Sequence, residues 1–213
     1  MPSPELTPLP PPGNPPVRLI LASGSPRRRE LLAEAGYAFE VVPADVDESD
    51  VPPAAKPAEV AALLAARKAA VVAARCPDAA TLAADTVVAL GDQTLGKAAD
   101  ADDARRILRL LGGTAHEVIT GVRVVRPAAG VDVARTVRST VRMRAMTDAE
   151  LEAYIATGLW QGKAGAYGIQ DQDPFVTRID GSLTNIVGLP MDEARAMLAA
   201  AGVVPTAARS PRP

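Results

Sequence analysis

At 213 residues with 48% hydrophobic content, the chain can bury one substantial core, or two small lobes sharing one, and reads as a single domain. A formal net charge of −2, a pI near 5.5 and 3% aromatic residues give no general attraction to nucleic acid or anionic lipid and few platforms for stacking bases. One cysteine, Cys76, excludes an intrachain disulfide framework, and one histidine, His116, argues against a Cys/His zinc site.

Residues 1–17 are proline-rich and read as a disordered or polyproline tail, without the basic start and apolar middle of a signal peptide. Residues 204–213 read the same way, which leaves 18–203 as the folded unit. No apolar run approaches a membrane span, so the expectation is a cytoplasmic protein with no membrane partner and no nucleic-acid partner.

Arg18 to Ala22 suits a short buried strand that runs into a helix over 26–35, with Ser25 as N-cap, Pro26 at the first helical position and Gly36 as the stop. "YAFEVVPADV", 37–46, predicts a second strand ending in an acidic loop, Asp45, Asp47, Glu48 and Asp50. "PAEVAALLAARKAAVVAAR", 57–75, predicts a long helix, and "ATLAADTVVAL", 80–90, a buried strand turned back at Gly91-Asp92. Asp100 caps a helix whose stripe is Ala104, Ile107, Leu108 and Leu111. Two longer strands follow, joined near Gly130; in the second, Val137, Val141 and Met143 alternate with Thr136, Arg138, Thr140 and Arg142, giving one wet face. Thr147 and Glu150 form a capping box for a helix that stops at Gly158. A glycine-rich stretch, 161–174, leads to a hairpin "FVTRI-DG-SLTNIV" and a last helix from Pro190 to about Ala201. Local hairpins mixed with strand-helix-strand steps predict an α/β fold with a mixed sheet.

Arg27, Arg28 and Arg29 crowd the first turn of the first helix, where the helix dipole disfavours cations by ~0.3–1 kcal/mol each. A bound polyanion would reverse that cost. Backbone N–H groups after Ser25, the hydroxyls of Ser23 and Ser25, and the forked guanidinium groups of Arg27 and Arg28 together suit phosphate, with Arg29 left to solvent. Gly91 to Ala98 nearly matches a phosphate-loop motif, but Ala98 replaces the magnesium-binding hydroxyl and Gly91-Asp92 belongs to a hairpin; Lys97 remains able to touch phosphate.

Asp85 interrupts an apolar strand, and a buried carboxylate needs a cation, a hydrogen-bond network or a metal. With Glu48 it suggests oxygen-ligated Mg2+ or Mn2+ and an acid left to activate water, while Asp45, Asp47 and Asp50 read as a solvated loop. Lys68 either snorkels from its helix face or meets a phosphate or carboxylate in a cleft, and the same choice stands for Lys163. Gln170 offers the donor and acceptor that base recognition needs. His116 reads as a hydrogen-bonded structural residue, Cys76 as packing, Trp160 as an anchor.

"LILASGSPRRRELL", "ADTVVALGDQTLGK", "GGTAHEVITGV", "GKAGAYGIQ" and "IVGLPM", five ordered blocks between about Arg18 and Gly202, resemble the Maf family of nucleoside triphosphate pyrophosphatases. The resemblance implies a single elongated α/β unit of two lobes around a central cleft, Maf/ITPase-like, its mixed sheet flanked by helices. It also implies a homodimer that hydrolyses nucleoside triphosphates to monophosphate and pyrophosphate with a divalent cation. By resemblance Asp85 is the catalytic proton acceptor, Ser23, Arg27, Glu48, Lys68 and Lys97 form the phosphate and metal environment, and Arg27, Thr86 and Gln170 distinguish substrates. "AYGIQ" resembles the branch acting on dTTP and UTP rather than that acting on 7-methyl-GTP. Alternatives left open are a 7-methyl-GTP or broader modified-nucleotide activity, and a nucleotide-binding regulator of cell division. Four positions depart from the family pattern: Gly162, Asp171, Ala84 and Ala98. With an acid missing at Gly162, Asp171 or Asp173 becomes a candidate for its electrostatic role.

Overall fold

The computed structural model describes residues 16–171 and 175–206, so most of both expected tails, Asp173 and the Asp171 side chain lie outside the described residues. At the margins, Val17 packs on the core and Thr206 donates its backbone N–H to Gly36 O at 2.9 Å.

Seven strands form one mixed sheet: β1 (Leu19–Leu21), β2 (Glu40–Val41), β3 (Ala80–Leu90), β4 (Gln93–Leu95), β5 (Ala115–Arg126), β6 (Val131–Met143) and β7 (Val176–Asp180). Their order is β2-β1-β3-β5-β6-β7, with β4 also on β3; β1 pairs in parallel with β2 and β3, and the other pairings are antiparallel. The helices are α1 (Pro26–Glu34), α2 (Pro57–Arg75), α3 (Ala101–Leu111), α4 (Asp148–Ala156), α5 (Leu183–Val187) and α6 (Met191–Ala200). The sequence-level caps are present: Ser25 Oγ accepts from Arg28 N, Asp100 Oδ1 from Asp103 N, and Thr147 with Glu150 closes a reciprocal box. The wet face of β6 lies where its alternation places it, with Arg138 and Arg142 exposed and Val141 and Met143 buried.

Two expectations fail. The strand expected over 37–46 is only Glu40–Val41, both exposed, at the edge of the sheet, where its one partner β1 is itself only three residues long. The second arm of the expected hairpin is instead α5: Ser182 Oγ accepts from Asn185 N, and Asn185 is drawn inward to donate to Val118 O and Ser139 Oγ. β7 therefore pairs with β6 rather than folding back on the residues after Gly181.

β3 is the spine. On one face α2 covers it, with Val60, Ala61 and Leu64 against Val87 and Ala89, and Ala69 and Val72 against Ala83. On the other face lie two separate apolar clusters. Leu82 and Ala84 join α1 and α6, while Val88 joins α3 and α4; each fully buried Leu or Val contributes roughly 1.5–3 kcal/mol. These clusters are the two lobes, and Thr86 and Thr120 fall between them. The edge of β3 opposite β5 is split as well. β1 pairs with 80–82 and β4 with 88–90, leaving a notch at 83–87 among the described residues. No described helix is long and apolar enough to cross a membrane.

Candidate active site

A cavity of about 440 Å3 opens at that notch, a size suited to a small-molecule ligand. Ser23, Arg27, Arg28, Glu48, Lys68, Asp85, Thr86, Lys97, Lys163 and Gln170 all line it. These candidate site residues, spread over almost 150 positions, are thus brought to one place, while the Asp171 side chain and Asp173 lie outside the described residues.

Asp85 points toward α2, as an odd-numbered residue of β3 must. Opposite it on β5 stands Gly121, where a Cβ would lie 2.4 Å from Ala61 O. The missing side chain lets α2 settle on the sheet, and two turns further along that helix Lys68 reaches Asp85 Oδ1 at 2.6 Å. Lys68 Nζ also meets Glu48 Oε1 at 2.6 Å, and Glu48 Oε2 accepts from Lys97 Nζ at 3.3 Å. The choice for Lys68 is therefore resolved toward the cleft: its side chain is buried between two carboxylates. The Glu48 loop is held by its acidic neighbours, which are less idle than expected. Asp47 Oδ1 accepts from Ser49 N and Oγ, and Asp50 pairs with Arg67 of α2 through its carboxylate and its backbone carbonyl.

Burial raises the Asp85 carboxyl above its ordinary value, against the opposing pull of Lys68 and Arg28. Burial acts on Glu48 in the same sense, but Lys68 and Lys97 outweigh it and hold that carboxyl low. The pair is thus split: one easily protonated acid deep in the notch, one firmly ionised at its mouth. Asp85 Oδ2 has no hydrogen bond among the described residues, which leaves it free to take a proton.

Ser23 is buried, and its Oγ accepts from Ser25 N at 3.2 Å and from Arg28 Nη1 at 3.0 Å, leaving its own proton to donate. Arg27 lines the cavity half-buried with no hydrogen bond among the described residues, and burial lowers its pKa against the attraction of Glu30. Arg28 differs. It is buried, with donors engaged on Gly188 O, Ser23 Oγ and Thr86 Oγ1.

Gly91-Asp92 is the two-residue turn expected between β3 and β4, with Gly91 at φ 59°. The near-motif at 91–98 thus opens no helix. Lys97 instead bridges to Ala164, and Gly165 N donates to Gly96 O, which ties the glycine-rich stretch across the cavity. Gly165 lies against Val88, where a Cβ would approach Cγ2 to 2.9 Å, so this stretch needs its small residues. Lys163 is buried beneath it, and Gln170 sits exposed on the 3-10 turn Ile169–Asp171. His116 is structural, with Nε2 2.7 Å from Tyr167 Oη, and Trp160 donates to Ile155 O.

Glu48 and Asp85 fit a hard divalent cation. Both reach a single ammonium at 2.6 Å, so one positive centre can address both. Two carboxylates are as many as Mg2+ commonly takes from a protein, the rest of its shell being substrate phosphates and water. Sequence reasoning passed over Gly121, Thr120, Asn185 and Gly188. A glycine inside an apolar strand was the one available signal, for it marks a close backbone approach.

Residues 18–201 match a family described as Maf-like protein. The dTTP/UTP pyrophosphatase of Hyphomonas neptunium is 51% identical over 90% of this chain and 98% of its own. That of Anaeromyxobacter dehalogenans is 49% identical over 87% and 94%, and that of Cereibacter sphaeroides 51% over 87% and 95%. Among solved structures, the Staphylococcus aureus Ham1 protein aligns with a TM-score of 0.40 at 12% identity over 59% of this chain and 71% of its own, too distant a likeness to argue from.

Proposed function

The chain belongs to the Maf family, and from that premise we propose that it hydrolyses dTTP and UTP to the monophosphate and pyrophosphate. The observation that carries the chemistry is the buried Asp85 carboxylate at the notch of β3, ion-paired to Lys68 beside a cation-lined cavity.

In this reading the triphosphate lies along Ser23, Arg27, Lys68, Lys97 and Lys163, whose hydroxyl and positive charges bind the anion and oppose the charge that grows on the leaving group. Asp85 accepts the proton of a water as its oxygen bonds to the α-phosphorus; the bond from the α-phosphorus to the bridging oxygen breaks, and pyrophosphate leaves. Burial supports this role by raising the basicity of Asp85 toward that of a working base. Mg2+ or Mn2+ would be held by Glu48 and Asp85 and would supply charge neutralisation and polarisation of phosphoryl oxygens. In this reading Arg27, Thr86 and Gln170, all in the cavity lining, distinguish substrates, Gln170 by meeting the base and Thr86 by shaping the wall against which the base rests.

The homodimer implied by the family resemblance and the cytoplasmic setting expected from composition belong to the same proposal; sedimentation equilibrium tests the first. The function itself is tested by pyrophosphate release from dTTP, UTP, CTP and 7-methyl-GTP with Mg2+ or Mn2+. Turnover of dTTP and UTP that is lost in Asp85→Asn is the expected result. Turnover of neither nucleotide by folded protein overturns the proposal.

A further inference from the structure

Arg28 joins three parts of the chain that are far apart in sequence. Its Nε donates to Gly188 O at 2.8 Å, Nη1 to Ser23 Oγ at 3.0 Å and Nη2 to Thr86 Oγ1 at 3.1 Å. The Thr86 hydroxyl also lies 3.0 Å from Thr120 Oγ1 and 3.4 Å from Gly188 O. Thr120 donates to Asn185 O, and Asn185 reaches Val118 O and Ser139 Oγ. This buried polar seam runs between the two apolar clusters and fastens the end of α5 to β3, β5 and the turn before α1.

What α5 carries gives the seam its use. Ile186, Val187 and Gly188 form a wall of the cavity, and the turn bearing Gln170 packs against α5. Gly188 sits at φ 123°, a conformation that favours glycine, and the carbonyl it presents there is the acceptor for Arg28 Nε. The Thr86 hydroxyl, already surrounded by three protein partners, has little left to offer a base.

We infer that Arg28 is a positioning residue for nucleobase selection: through Gly188 and Thr86 it fixes the α5 wall, and with it Gln170, while the grip on phosphate falls to Arg27 and the lysines. This rests on the nucleotide reading above. Three of the five N–H donors of this buried fork are committed to fixed protein acceptors, whereas Arg27, one residue earlier, faces the cavity with its donors uncommitted among the described residues.

Inorganic tripolyphosphate, which has no base, separates the two roles. In Arg28→Lys the charge remains but the fork is lost. The preference for dTTP over CTP, as kcat/KM, should fall about tenfold or more, mainly through KM for dTTP, while inhibition by tripolyphosphate stays at the wild-type level. Equal weakening of dTTP, CTP and tripolyphosphate, with the preference intact, would make Arg28 a phosphate ligand and overturn the inference. Thr86→Val and Gly188→Ala probe the same seam without removing a buried charge. If Arg28→Lys does not fold, retained preference in both of these variants overturns the inference, and lost preference with unchanged tripolyphosphate inhibition supports it. If the wild type hydrolyses none of the nucleotides, the functional reading fails on its own. Equilibrium binding of dTTP, CTP and tripolyphosphate to the same variants then decides Arg28 by the same criterion.

Discussion

Gly121→Ala puts a methyl group where α2 and the sheet leave no room. The added Cβ would stand 2.4 Å from Ala61 O, 2.6 Å from Ala61 C and 2.8 Å from Ala62 N. All three are backbone atoms, so no rotamer change relieves the overlap and the helix itself must move. Restoring an ordinary contact requires a shift of about 1 Å, and overpacking of this kind costs ~1–3 kcal/mol. For a domain of this length that lowers Tm by roughly 2–12 °C, taking ~2–4 °C per kcal/mol. The displacement also reaches the site. Lys68 lies two turns beyond Ala61, about 10 Å along the same rigid rod, and its 2.6 Å contacts to Asp85 and Glu48 have no slack. Misplacement of about 1 Å can lower turnover by ~100-fold. Thermal melts followed by pyrophosphate release from dTTP measure both effects on one preparation. A Gly121→Ala protein with wild-type Tm and wild-type kcat/KM would refute the claim that this glycine sets the height of Lys68 over Asp85.

Asp85→Asn should abolish turnover without lowering Tm at pH 7. Because burial raises the folded pKa of Asp85, the neutral acid favours the fold below the unfolded pKa, and that contribution disappears as pH rises through the folded value; the amide keeps it. A variant that melts well below wild type would show that the Lys68 pairing outweighs desolvation. His116, buried and drawn down to about 4 from 6.5, should cost the fold roughly 3 kcal/mol between those values. Stability is full above about 6.5 and is lost as pH falls toward 4, because only the unfolded chain takes the proton. Urea unfolding at pH 7 and 4.5 should show a larger loss for wild type than for His116→Gln; equal losses would sink the assignment. Glu48→Gln should weaken Mn2+ binding, measured by equilibrium dialysis with a non-hydrolysable triphosphate, by at least the ~10-fold typical even of outer-shell partners. Unchanged affinity would remove Glu48 from the cation site.

What could be read in the sequence was whatever depends on neighbours within a turn or two. Ser25, Asp100 and Thr147 cap helices through local hydrogen bonds, Gly91-Asp92 makes a hairpin by its own backbone, and Asp85 stands out because the strand around it is apolar. The segment after Gly181 shows the limit. "SLTNIV" alternates well enough for a strand, and what turns it into a helix is the pull of Val118 O and Ser139 Oγ on Asn185, 67 and 46 residues away. Arg27 and Arg28 were likewise indistinguishable, as adjacent guanidinium groups at one helix start. They differ because a helix turns adjacent residues about 100° apart, and only Arg28 faces Gly188, 160 residues distant.

The strand's two-residue period explains why one cavity can hold two kinds of chemistry. Asp85 and Thr86 are neighbours, so they point to opposite faces of β3, the first to the charge cluster beneath α2 and the second to the polar seam beneath α5. In the middle of an intact sheet these faces would be separated by paired strands. Here both line one cavity because β1 pairs with β3 only as far as 82 and β4 begins pairing at 88, so a ligand at the notch can wrap the bare edge and touch either side. On the reading proposed above, bond cleavage and base selection rest on different helices, so substitutions beneath α2 should act on kcat while those beneath α5 act on the ratio between nucleotides.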